Sequence, residues 1–139
     1  MDIKKLVEEY RLLSIELREY EKSKQELVLE YKEIQKYIPI PDTVTINMRR
    51  LYSFYTERCK YLEGQIKRAE RLLKTLDEPY YTIMYKRYGE GKKLETVADE
   101  TYYSYKTVIT KIKKAFEILG GVGNERNREN SEKSRSIAG

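Results

Sequence analysis

The apolar residues of the first 76 positions recur at alternating intervals of three and four. No other feature constrains the fold as much. From Ile3 the set runs through Leu6, Tyr10, Leu13, Leu17, Tyr20, Leu27, Tyr31, Ile34 and Ile38, with Lys24 as the one polar interruption. Residues three and four apart share one face of an α-helix, so the spacing predicts an amphipathic helix over 2–37 with a coiled-coil-like seam. Met48, Tyr52, Tyr55, Cys59, Leu62, Ile66, Ala69, Leu73 and Leu76 repeat the pattern and predict a second helix over 48–76. Between them Pro39 and Pro41 remove backbone donors and push the residues before them out of helical geometry. An extended connector is expected over 38–47, with Ile38, Ile40, Val44 and Ile46 apolar enough to pack and Thr45 or Asn47 as a cap for the second helix.

A connector of that length can reverse the chain, so residues 1–76 are expected to form an antiparallel helical hairpin. Charge agrees. Residues 1–37 hold eight basic and nine acidic side chains, whereas 48–76 hold eight basic and three acidic ones. The same seams also suit pairing between chains, and spacing does not separate the two arrangements. Lys24 suits either a register-setting role or a snorkelling one. The seam tyrosines read as core with hydroxyls at the edge. Cys59 reads as a small apolar seam residue rather than a redox switch.

Past Leu76 the periodicity changes. Asp77, Glu78 and Pro79 form an acidic, proline-containing helix start, and the helix they open should run to Tyr88 and end at Gly89-Glu90-Gly91. Two short helices come next, Leu94 to Glu100 and Ser104 to Leu119. Ser104 is a good N-cap, because its hydroxyl can accept from a free N–H of the first turn. Behind it Val108, Ile112, Ala115, Phe116 and Leu119 fall on one face. The opposite face carries Tyr105, Lys106, Thr107, Thr110, Lys111, Lys113 and Lys114. Lysines neutralise phosphates, and short polar side chains near a helix start reach base edges, so this is the face a major-groove reader needs. Tyr102 and Tyr105 are the tyrosines best placed for such contact. The plainer reading is a small helical bundle with a solvated basic face.

The stretch resembles the helix-turn-helix of region 4 of bacterial sigma factors and of the phage regulators that share it. Leu94, Val97, Ala98, Tyr103, Ser104, Thr107, Val108, Ala115 and Leu119 carry the resemblance. Ile83, Met84, Arg87, Tyr88, Gly89, Glu90 and Gly91 resemble the helix end that precedes the motif in that family. The sequence departs from the pattern at Tyr102, where the family has Gly in the turn. A non-glycine residue there needs φ > 0 or a longer turn.

With the long helices in front, the chain is similar to RinA/ArpU-type late-gene regulators of phages. The resemblance implies an all-α protein: a hairpin over 1–76, a trihelical DNA-binding head over 77–119 and a tail over 120–139. It implies a sequence-specific transcriptional regulator, phage or prophage encoded, acting in the cytoplasm of a bacterial host. Double-stranded DNA is the expected partner, with RNA polymerase and a second copy paired through the hairpin as further ones. Lys92, Lys93, Ser104, Tyr105, Lys106, Thr107, Thr110, Lys111, Lys113 and Lys114 are the expected DNA-binding residues. A phage small terminase subunit, which also joins such a motif to helical oligomerisation segments, is the alternative. A helical protein–protein interaction module is another.

Composition narrows the chemistry. The chain has no His and one Cys. An intrachain disulfide, a Cys/His zinc site and a His-based triad are therefore excluded. No Gly-rich phosphate loop follows a strand. No enzyme, cofactor or metal is expected. The charged N-terminus is not a secretory signal, no apolar run reaches the roughly 20 residues of a membrane span, and no membrane partner is expected. The Gly-, Ser- and Asn-rich sequence from Gly120 is expected to be disordered.

Overall fold

In the computed structural model the backbone is described over residues 2–36 and 39–138 and side chains over 2–36 and 39–121; Met1, Tyr37, Ile38 and Gly139 lie outside the described residues, as do the side chains of the expected tail from 122 on. The chain is all-helical, with no strand among the described residues. Among the described residues five α-helices succeed one another: α1 (Ile3–Gln35), α2 (Asp42–Lys74), α3 (Tyr80–Met84), α4 (Leu94–Thr101) and α5 (Tyr105–Ala138). A π-helical turn, Tyr85–Gly89, continues α3. No helix of the described residues is long and apolar enough to cross a membrane.

The bounds of the long helices differ from those the sequence predicts. The connector is shorter than 38–47, because α2 begins at Asp42 rather than Met48. The Pro41 carbonyl accepts from the N–H groups of Val44 and Thr45 at 3.0 and 3.2 Å, so proline caps the helix and has no N–H of its own to leave unpaired. Asp42 then sits in the first turn, where the helix dipole favours an anion. The β-branched run Thr43 to Ile46 suggests extended backbone, but each such residue costs a helix only about half a kcal/mol. At the other end α5 carries on through Gly120 and Gly121 instead of stopping at Leu119. A helical glycine costs about 1 kcal/mol relative to alanine, which weakens a helix without ending it.

The chain divides into two compact units, Leu12–Lys67 and Met1–Arg11 with Arg68–Gly139. In the first, side chains of α1 meet partners that fall in reverse order along α2. Glu16 accepts from Arg58 at 3.1 Å. Tyr20 packs against Phe54 and Tyr55 with centroids 6.2 and 6.0 Å apart. The Lys24 ammonium lies 4.9 Å from the centre of the Tyr52 ring, so the polar seam position is spent on a cation–π contact. Leu13, Leu27, Cys59 and Leu62 are the buried residues of this unit. Burial pushes the Cys59 thiol up, so it is held as a neutral apolar group.

The second unit holds the larger core. Leu6 and Val7, Leu72, Leu73 and Leu76, Ile83 and Met84, Val97, Val108 and Leu119 are all buried in it. At its edge the Tyr10 hydroxyl donates to Glu70 at 2.9 Å. Burial first, and that carboxylate second, push its pKa up to about 12. Glu78 serves the first turn of α3, accepting from the N–H and hydroxyl of Thr82.

The helix expected over 79–88 stays purely α-helical only to Met84. Its last turn widens into the π-turn, where the Glu90 N–H reaches back five residues to the Tyr85 carbonyl at 2.9 Å. Gly91 comes next at φ +72, and a Cβ there would overlap the guanidinium of Arg11, which donates to the Glu90 carbonyl at 2.6 Å. Gly91→Ala should therefore cost about 2–3 kcal/mol, combining the left-handed backbone penalty with a displaced Arg11. In an Arg11→Ala background the same change should cost only about 1–2 kcal/mol. Urea unfolding of the four variants of this cycle measures the difference; equal costs in both backgrounds would mean that Arg11 does not press on Gly91.

Candidate nucleic-acid interface

The turn between α4 and α5 is built from three residues, Tyr102 to Ser104. Tyr102 has φ 62 and ψ 23, in the left-handed region, and its N–H donates to the Ala98 carbonyl. The Tyr103 N–H reaches the same carbonyl at 3.2 Å. These bonds close the end of α4 in the way a C-terminal glycine usually does. The departure from the family pattern at Tyr102 is thus met by a tyrosine that takes the positive φ, not by a longer turn. Its ring lies almost wholly in solvent, with 95% of its surface exposed.

Ser104 then starts α5. Its hydroxyl oxygen accepts from the Thr107 N–H at 3.2 Å and lies 2.8 Å from the Thr107 hydroxyl. Its carbonyl accepts from the Val108 N–H at 3.0 Å. Val108, Ile112, Ala115 and Leu119 are buried, as their spacing predicts. Phe116 is only half-buried: its ring meets Tyr88 edge-on at 5.6 Å and carries the Lys4 ammonium 5.6 Å away.

Burying that stripe leaves the opposite one free. Ser104, Tyr105, Lys106, Thr110, Lys113 and Lys114 are exposed. Lys106, Thr110 and Lys113 succeed one another at intervals of four and three, so they line up along the outer face. The Thr110 hydroxyl donates to the Lys106 carbonyl at 3.0 Å. Three of the expected contact residues sit differently. Thr107 is half-buried beside Ser104. Lys93 is exposed at the start of α4, where its carbonyl accepts from the Val97 N–H at 3.0 Å. Lys111 does not belong to the outer face. It is half-buried, with its ammonium 5.1 and 5.5 Å from the ring centres of Tyr103 and Tyr80. It lies five residues from Lys106, which turns it toward α3.

Lys92 is the tenth expected residue, and it is held within an ion cluster. Its ammonium is 2.8 Å from a carboxylate oxygen of Glu90 and 2.8 Å from one of Glu100, and Lys86 donates to the same Glu100 at 2.9 Å. The Glu100 and Glu90 hydrogen bonds push the Lys92 pKa up to about 12. Bonds from Lys92 and Lys86 hold the Glu100 carboxyl below its usual range. Neither Glu100 contact could be read from helical spacing, since eight and fourteen residues separate the partners. The sequence likewise gives no sign of Tyr80 and Tyr103 holding Lys111.

This division of the lysines has two testable outcomes. Lys106→Glu with Lys113→Glu should leave the free energy of unfolding, read from thermal melts, unchanged within about 0.5 kcal/mol, because both side chains are solvated. Lys111→Glu should lower it by about 1–2 kcal/mol, because two cation–π contacts are lost. Equal midpoints for the two proteins would show Lys111 to be as free as the others. The cluster has a pH signature. Glu100 has a depressed folded pKa, so it stabilises the protein above the ordinary glutamate value of about 4.3. That contribution is lost as pH falls through the lower folded value. Glu100→Gln should thus narrow the stability gap to wild type as pH drops below about 4.3, measured by urea midpoints from acid to neutral pH. A gap independent of pH would contradict the pairing.

Among the described residues no group of three or more His, Cys, Asp or Glu side chains could hold a metal ion. What the exposed face offers is a row of cationic, hydroxyl and phenolic groups on a rigid helix. Comparison with protein-family models, curated proteins and solved structures returns no match to the chain.

Proposed function

We propose that the chain is a sequence-specific DNA-binding transcriptional regulator, phage or prophage encoded. In this reading α4 and α5 act as a helix-turn-helix, and α5 enters the major groove. The observation that carries it is the division of α5 into a buried stripe and a polar one, with the polar stripe starting at a capped N-terminus. A groove-reading helix needs both: a core that fixes its orientation and an outer face open to solvent. Lys106, Lys113 and Lys114 supply phosphate charge, and Ser104, Tyr105 and Thr110 supply neutral groups for base edges and backbone. Tyr102, at the tip of the turn, is placed to meet the backbone where α5 enters.

Lys92 and Lys111 take structural roles in this reading. Lys92 aligns the start of α4 through Glu100, and Lys111 ties α5 to the α3 side through Tyr80 and Tyr103. The α1 and α2 segments over 12–67 act as a helical hairpin that supplies contacts to protein partners, RNA polymerase among them. The chain binds rather than catalyses, and needs no cofactor.

Fluorescence anisotropy with a duplex carrying its site tests the assignment. Wild type should bind with a steep loss of affinity as salt rises, and Lys106→Glu with Lys113→Glu should weaken binding at least about 100-fold and lower the salt slope by about 2. Lys92→Gln should change the slope little. Charge-reversed protein that binds as wild type does would place the DNA on another surface.

A further inference from the structure

A groove runs beside α5, between it and the first turns of α1. Ile109, Lys113 and Phe116 recur at intervals of four and three, so they share one flank of α5. Tyr88 and Leu94 complete the apolar lining, and the groove holds about 310 Å³. Three cations from three elements line it as well: Lys4 from α1, Arg87 from the π-turn and Lys113 from α5. One carboxylate, Glu8, stands among them, so two positive charges remain in excess.

The cations are placed but not neutralised. The Lys4 side chain is exposed, and its ammonium lies 5.6 Å from the centre of the Phe116 ring. Arg87 donates to the Lys92 carbonyl at 3.0 Å, which holds its guanidinium at the groove through one N–H of the fork. Lys113 is exposed, and no ion pair among the described residues holds it or Lys4. Glu117, one turn beyond Lys113, lies toward the outer face and does not line the groove.

Lys113 belongs both to this flank and to the outer stripe with Lys106 and Thr110, so the two surfaces are continuous. A helix with its side chains is about 10–12 Å across and the major groove of DNA about 12 Å wide, so a helix lying there sets each flank beside a sugar–phosphate backbone. Resting on the reading of α5 as the major-groove helix, we infer that the groove beside it takes one backbone strand of the duplex, with Lys4 and Arg87 joining Lys113 on its phosphates. Sugar carbons lie over the apolar lining, and the cations reach the charged oxygens. Glu8 repels the same strand and weakens its hold. The first turn of α1 thereby belongs to the nucleic-acid interface, which the seam periodicity of that helix gives no sign of.

Binding of the full chain across a salt series tests this, with the duplex that wild type enriches from random sequence and with a scrambled duplex of the same length. Lys4→Gln should weaken binding roughly three- to tenfold at low salt, by the same factor on both duplexes, and lower the salt slope by about 1. Lys4→Arg should keep the wild-type slope, and Glu8→Gln should bind more tightly than wild type. Lys5→Gln is the control, since Lys5 is exposed on the next position of α1 and does not line the groove; it should bind as wild type does. Single phosphates replaced by uncharged methylphosphonates should reveal a position whose replacement weakens wild type several-fold and Lys4→Gln not at all. Equal slopes for Lys4→Gln and Lys5→Gln, a Glu8→Gln protein that binds no tighter, or the absence of such a position would overturn the backbone contact. If Lys106→Glu with Lys113→Glu still abolished binding, the DNA-binding assignment would stand without it. A wild type that binds neither duplex would overturn both.

Discussion

The burial of Val108, Ile112, Ala115 and Leu119 sets what α5 can do. Those four side chains turn one stripe of the helix into core, and the helix geometry then fixes which residues face out. At about 25 cal/mol per Å², burying such a stripe outweighs any single surface contact of the unit. Ser104 and Tyr102 act at the margin of that choice. The serine satisfies the first turn of α5, and the tyrosine accepts a left-handed backbone that closes the end of α4. A left-handed tyrosine costs of order 1 kcal/mol and is expected where the surrounding helices hold it in place.

The lysines separate by their partners rather than by their number. Lys92 is tied to Glu90 and Glu100, and Lys111 lies over two tyrosine rings. Lys106, Lys113 and Lys114 remain solvated on one side of one helix. A net charge of +5 says little about binding by itself. Three cations in a fixed array on a rigid helix give a polyanion a defined place to sit.

The long helices and the buried stripe of α5 were legible because they rest on periodicity, which survives without knowledge of neighbours. The seam positions from Ile3 to Ile34 are all at least half-buried. The Ser104 cap was legible too, since it depends on residues three apart. The start of α2 was not, because Pro41 stops one helix and starts the next, and the β-branched run behind it argued for extended chain. The π-turn at 85–89 has no local signature that distinguishes it from an α-helical end. Lys111 was misplaced because helical spacing assigns a face but not the rings of Tyr80 and Tyr103 that arrive from elsewhere in the chain. Glu100 escaped notice for the same reason, with partners eight and fourteen residues away.

The central claim is that the outer stripe of α5 reads a DNA sequence. Selection from random duplexes with the full-length chain, then binding of the enriched duplex across a salt series, tests it most directly. The account predicts enrichment of one sequence that stays bound at moderate salt, with major-groove contacts that vanish in the Lys106→Glu, Lys113→Glu protein. Uniform binding of all duplexes that disappears as salt rises would mean that the lysines act only as diffuse charge, and would contradict the claim.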